Sequence, residues 1–216
     1  MPFDLAVIDL DNTLYTADSG VFARMDKRMT AFVARELEIA PAEADALRVK
    51  YWKQYGTTLR GLMLHHGMEP EDFLREVHDI GVHNMLSPDT ELNEALGRLP
   101  GRKVIHTNGI REHAVRVLDA LGVSHHFSTI YDIRFDHYQP KPSAATLFRL
   151  IQSEGMAANR TLVIDDMEDN LAAARSIGAQ TALISTDKPR EIWNFHAISL
   201  TRLSFPDSAG EASNDR

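Results

Sequence analysis

The sequence predicts a doubly wound α/β fold, a parallel sheet flanked by helices, with a helical segment inserted after its first strand. Three observations carry this prediction. Leu5-Ala6-Val7-Ile8 is a short apolar run near the start of the chain that leads into Asp9 and Asp11, which reads as a buried strand. From about residue 100 to 185, short apolar runs alternate with helical patterns, as βαβ units do. Between these regions, residues from about 18 to 84 carry helical periodicity and no strong strand candidate.

In chain order, Thr16 to Gly20 reads as a loop. The spacing of Phe22, Met25, Met29, Phe32, Val33 and Leu37 predicts a helix over 21–37. Pro41 suits the first turn of a second helix running to Tyr55, with Gly56 to stop it. Thr57 to His66 reads as a third helix, and Glu69-Pro70-Glu71-Asp72 opens a fourth. Ser87-Pro88-Asp89 starts another that ends near Leu99-Pro100-Gly101. Strands are then expected at Lys103–His106, within 127–133, at Thr161–Ile164 and at Gln180–Ile184. The intervening helices carry Ala114 to Leu121, Ala144 to Glu154 and Leu171 to Ile177. The expected division is a core of residues 1–17 and 85–204, a helical cap over 18–84, and a disordered tail over 205–216, where Asp, Ser, Ala and Gly dominate.

Composition narrows the function classes. Of 216 residues, 44% are hydrophobic and 25% charged, an ordinary globular balance. The formal net charge is −8 and basic residues form no long block, so no nucleic-acid partner is expected. The chain has no cysteine, which excludes disulfides, a thiolate nucleophile and thiolate metal sites. No apolar run approaches the roughly 20 residues that span a bilayer, and Met1-Pro2-Phe3-Asp4 lacks the pattern of a signal peptide. A cytoplasmic protein with no membrane partner, monomeric or weakly dimeric, is the expectation. Ten histidines form no spacing typical of a transition-metal site, and His106, on an apolar strand, reads as a packed residue.

The chemistry is expected at one edge of the sheet. Asp9 and Asp11, Thr107 and Asn108, and Asp165 and Asp166 each follow an apolar strand, and Lys141 precedes a helix. In an open parallel sheet the carboxyl ends of the strands share one side, where ligands bind. Four carboxylates there repel one another unless a cation joins them. Hard oxygen ligands without sulfur suit Mg²⁺.

The series Asp9-Leu10-Asp11-Asn12-Thr13-Leu14, Thr107-Asn108-Gly109, Lys141-Pro142 and Asp165-Asp166 resembles the haloacid dehalogenase-like superfamily, over residues 3 to about 185. Each segment alone is weak; the four in order are specific. The resemblance implies a Rossmann-like core, Mg²⁺ as cofactor and phosphoryl transfer. It implies that Asp9 is the nucleophile. Asp11 would then be the general acid and base, with its backbone carbonyl on Mg²⁺. Relatives that cleave carbon–halogen or carbon–phosphorus bonds generally lack an acid at Asp11, so its presence points to phosphate esters. Thr107 and Asn108 would donate hydrogen bonds to the phosphoryl group and Lys141 would neutralise its charge. Asp166 would ligate the metal directly, with Asp165 beside it. Asn170 stands where many relatives carry another acid.

The insertion bears on the substrate. Tyr51 and Tyr55 share a helix face, and the stretch from Tyr51 through Arg60 to Leu62 resembles the pyrimidine 5′-nucleotidase branch. This implies a nucleoside monophosphate, UMP- or CMP-like, with Tyr51, Tyr55 and Arg60 near its base. Packing of these aromatics within the cap is the competing reading of the same residues. A sugar-phosphate phosphatase, a phosphomutase and a non-catalytic binding module are the alternatives.

Overall fold

The computed structural model describes residues 3–205. Six strands, β1 (Leu5–Ile8), β2 (Arg102–His106), β3 (Thr129–Tyr131), β4 (Thr161–Asp165), β5 (Gln180–Ile184) and β6 (Phe195–Ala197), form one sheet in the order β3-β2-β1-β4-β5-β6. Every adjacent pair is parallel. The chain builds outward from β1 through β2 to β3, then returns to the other side of β1 with β4. That reversal puts the crevice of a doubly wound sheet beside β1.

Eight α-helices accompany the strands among the described residues: α1 (Val21–Glu36), α2 (Pro41–Tyr55), α3 (Thr58–His66), α4 (Pro70–Val77), α5 (Thr90–Arg98), α6 (Arg111–Leu121), α7 (Ala144–Ser153) and α8 (Glu168–Ser176). Their starts follow local chemistry. Side-chain oxygens of Thr57, Asp89 and Ser143 accept the backbone N–H of the third residue of α3, α5 and α7.

Strand alternation divides the core into two layers. Ala6 and Ile8 pack with Leu92 and Leu96 of α5 and Val117 and Leu118 of α6. Leu5 and Val7 pack on the opposite face with Leu147 and Leu150 of α7 and Leu171 of α8. A third apolar cluster joins α1 to α4, built on Phe32, Tyr51, Leu62, Phe73 and Val77, and takes in Ile110 and Ile133. Polar ties bind this region to the segments that flank the sheet. Arg134 donates to both oxygens of Glu71 at 2.8 and 2.9 Å, and Arg116 donates to the His78 carbonyl at 2.9 Å.

Two expectations change. The edge strand β6 was not anticipated, because Phe195-His196-Ala197 is too short to show alternation. It is placed by tertiary contacts: the Asn194 side chain accepts from the Thr181 backbone N–H at 3.0 Å. Phe205, where a tail was expected to begin, packs edge-on against Phe3 and Phe195, at centroid distances of 5.4 and 4.9 Å. The rest of the expected tail, 206–216, lies outside the described residues. No helix among the described residues is long and apolar enough to cross a membrane.

Gly61 explains part of the aromatic stretch on α2. A methyl group on Gly61 would overlap the Tyr51 ring, so α2 and α3 approach only because no side chain intervenes. We therefore predict that Gly61→Ala destabilises the protein by about 1–3 kcal/mol, the usual range for overpacking. Thermal or urea denaturation measures it, and an unchanged midpoint would contradict the packing described.

Candidate active site

The carboxyl ends of β1, β2 and β4 open on a cleft of about 420 Å³, roofed by residues of α1, α2 and α4. Asp9, Asp11, Thr107, Asn108, Lys141 and Asp166 all line it. Asp165 lies just behind, beside Lys141.

Lys141 is the hub. Its buried ammonium donates to Asp9 Oδ1 at 2.6 Å and Asp165 Oδ2 at 2.9 Å. Burial alone would pull it down, but the Asp165 and Asp9 carboxylates outweigh that and hold it above its ordinary value. Its loop is clamped by Asn108, whose Oδ1 accepts the Lys141 backbone N–H at 2.8 Å. Gly56, at φ +85°, ends α2 against the same loop, and a Cβ there would meet the Lys141 carbonyl at 3.0 Å. A side chain at that position would be strained by the positive φ and would force the Lys141 loop to give by a few tenths of an ångström.

The acids are held differently. Asp9 accepts from Lys141 on one oxygen and from Thr13 Oγ1, at 2.9 Å, on the other. Burial, reinforced by Asp165 and Asp166, pushes its carboxyl well up, against the pull of Lys141. Asp165 is fully engaged: its Oδ1 accepts from the Met167 N–H at 2.9 Å and from Asn170 Nδ2 at 2.8 Å. Asn170 thus anchors Asp165, while Asp169 turns outward to Arg190 at 2.9 Å. Asp166 is half-buried, and burial together with Asp165 pushes it up to about 7. Asp11 differs again. Its Oδ1 accepts from Tyr15 Oη and from His113 Nε2, the latter at 2.9 Å. Burial would raise its carboxyl, yet His113 and Tyr15 prevail and hold it below the ordinary value.

Donor atoms of Asp9, Asp165 and Asp166 lie within 4.8 Å of one another. One ammonium faces these three carboxylates, so negative charge is in excess. An all-oxygen set with unbalanced charge fits a hard divalent cation such as Mg²⁺. The Asp11 carboxylate stands outside this cluster, tied to Tyr15 and His113.

Thr107 and Asn108 line the cleft, whereas the expected cap residues do not. Thr107 is buried and its Oγ1 accepts the Gly109 N–H at 2.9 Å, leaving its own hydrogen to donate. The Asn108 carbonyl oxygen serves the Lys141 loop rather than a ligand. Tyr51, Tyr55 and Arg60 do not line the cleft. Tyr51 and Tyr55 do share a helix face, with centroids 5.9 Å apart, but that face turns to α3. Tyr51 Oη pairs with His66 Nε2 at 2.8 Å and Tyr55 Oη with His65 Nε2 at 2.6 Å. The cleft wall is made instead by an adjoining stripe of α2, with Arg48 and Trp52, and by Phe22 of α1. Phe22 and Trp52 are exposed, at 37% and 46%. His106 is buried as expected, and burial together with Lys141 pushes its imidazole down to about 3.

A two-carboxylate motif at the end of β1, a lysine between it and a third acid, and this strand order define a recognisable core. The family model for haloacid dehalogenase-like hydrolases matches residues 3–194. The chain is a haloacid dehalogenase-like (HAD) hydrolase. Among relatives, this HAD hydrolase is 28% identical over 188 residues to phosphate metabolism protein 8 of Saccharomyces cerevisiae, covering 79% of the chain and spanning 58% of the relative's length. A HAD phosphatase structure from Thermococcus onnurineus superposes with a TM-score of 0.63 at 16% identity, over 91% of this chain and 94% of that one. L-2-haloacid dehalogenase from Xanthobacter autotrophicus superposes with a TM-score of 0.59 at 14% identity, over 92% and 96%. Both likenesses concern the fold. Two chemistries share it, so the side chains of this site must choose between them.

Proposed function

We propose that this HAD hydrolase is a Mg²⁺-dependent phosphomonoesterase acting through an aspartyl-phosphate. The observation that carries this reading is Asp11. Its carboxylate lines the cleft close to Asp9, with Oδ1 engaged and Oδ2 without a hydrogen bond among the described residues. Such a group can give a proton to an alkoxide leaving group and take one from water.

Asp9 attacks phosphorus and forms the new P–O bond while the ester P–O bond breaks. The proton of Asp11 goes to the departing oxygen. Water then attacks the aspartyl-phosphate, its proton returns to Asp11, and orthophosphate leaves with Asp9 restored. A bound phosphoryl dianion favours the protonated form of Asp11 before the first step. Thr107 donates to a phosphoryl oxygen, and Lys141 offsets the charge gathered there. Asp9, Asp166 and the Asp11 carbonyl, with Asp165 behind, would hold Mg²⁺, which would supply charge neutralisation for the phosphoryl group.

Residues 18–84 serve in this reading as a cap that covers the core, 1–17 and 85–204, and excludes water. The substrate is a nucleoside monophosphate, with UMP and CMP expected from the resemblance of residues 51–62. The supporting feature for a planar base is the exposed pair Trp52 and Phe22 on the cleft wall. Charge supports a neutral leaving group. Arg48 on the same wall is spent on Asp26 and Asp45, both at 2.9 Å.

The test is orthophosphate release from a panel of monophosphates with Mg²⁺. UMP and CMP should be the best substrates; turnover no better than that of glucose 6-phosphate would abandon the nucleotidase reading for a sugar phosphatase. We further predict that Trp52→Ala raises KM for UMP roughly tenfold, the scale of one base–aromatic stack, with less effect on glycerol phosphate. Equal effects on both would remove Trp52 from base binding. Tyr55→Phe, by contrast, should leave both KM values near wild type.

A further inference from the structure

We propose that His113 is a positioning residue for this reaction: together with Tyr15 it pins Oδ1 of Asp11, so that Oδ2 alone is presented to the leaving oxygen. The inference rests on the phosphomonoesterase reading and adds to it a residue 102 positions from its partner in sequence.

The geometry is specific. His113 is the third residue of α6, the helix that follows the Thr107-Asn108-Gly109 turn. Its ring has no solvent exposure. Nε2 meets Asp11 Oδ1 at 2.9 Å, and Nδ1 is buried with no hydrogen-bond partner among the described residues. A carboxylate oxygen only accepts, so Nε2 carries the hydrogen. The single hydrogen bond of this imidazole is therefore the one to Asp11. A buried polar atom left unpartnered destabilises a fold and calls for an explanation. Fixing one oxygen of the reacting carboxylate supplies one.

Two further contacts hold the arrangement. Tyr15, itself buried, donates its hydroxyl to the same Oδ1. Burial and Asp11 keep that phenol protonated, and so a donor, throughout the ordinary pH range. His78, at the end of α4, packs its ring 4.9 Å from that of His113. The His78 Nδ1 is taken by the Leu74 carbonyl at 2.7 Å, which leaves the His113–Asp11 bond without a competitor from this side. A carboxylate with one oxygen pinned twice has lost the torsional freedom that would exchange its two oxygens. A proton donor held in one geometry is worth more than a mobile one.

Leaving-group dependence tests this. An alkoxide needs its proton as the ester bond breaks; p-nitrophenolate needs far less help. kcat/KM reports steps up to formation of the aspartyl-phosphate, so dephosphorylation drops out. For His113→Leu we expect the ratio of kcat/KM for UMP to that for p-nitrophenyl phosphate to fall about 10²-fold, the low end of a general-acid contribution. His113→Gln, which returns an N–H donor at similar reach, should recover most of the ratio. Tyr15→Phe, a smaller change should the buried leucine impair folding, should lower it in the same direction. Equal losses on both esters, or no recovery with glutamine, would overturn the positioning role and leave His113 as packing. Absence of phosphate release from either ester by the wild type would instead overturn the phosphomonoesterase reading, and this inference with it.

Discussion

Asp9→Asn is expected to abolish phosphate release while leaving the fold as stable as before, or more so. The activity loss should reach roughly 10⁴-fold or beyond, as when a nucleophile acting in a concerted set is removed. The stability gain follows from the charge count. Three carboxylates face one ammonium, and burial with its two acidic neighbours already works against ionised Asp9. An amide of the same shape removes a buried negative charge and keeps the packing. Urea unfolding without divalent cation should show a midpoint at or above that of the wild type. Added Mg²⁺ should then raise the wild-type midpoint more than the variant's, because a ligand that binds only the folded state stabilises it. Residual turnover within tenfold of wild type would dismiss Asp9 as nucleophile. An equal Mg²⁺ response would remove it from the metal site.

Lys141→Met is the opposite case. It deletes the one ammonium among buried carboxylates and leaves them uncompensated. Breaking a buried ion pair from one side costs about 3–5 kcal/mol, and losing a charge-stabilising donor costs about 10²–10³ in kcat. Denaturant titration and orthophosphate assays read the two separately. The Asp9→Asn change should restore part of the stability lost in Lys141→Met, since the two groups share one network. Additive effects would show that they do not act on each other. A Lys141→Met protein as stable as wild type would show that the carboxylates are not balanced by this lysine.

Local signals carried much of this architecture, and their limits are physical. Strands β1, β2, β4 and β5 were legible because each holds adjacent apolar residues between turn or helix signals. The acids at their ends were legible because a parallel sheet brings such ends to one side. Strand β6 was not, since three residues define no period. The α2 helix shows a deeper limit. Periodicity correctly puts Tyr51 and Tyr55 on one face, but no spacing states which way a face points. That was decided by Gly61, which admits the Tyr51 ring to α3 and so turns Arg48 and Trp52 to the cleft. Asn170 could be read as a departure from an acid, but not as the amide that steadies Asp165. His113 left no local signature: its contact with Asp11 exists only once α6 has docked on β1.

The two flanks of the sheet carry a consequence for self-association. Both terminal strands, β3 and β6, are three residues long. A row of unpaired backbone groups that short gives an incoming strand little to register against. The sheet is therefore a poor template for its own extension, and two copies that meet must do so through side chains on helices or loops rather than through a continuous intermolecular sheet.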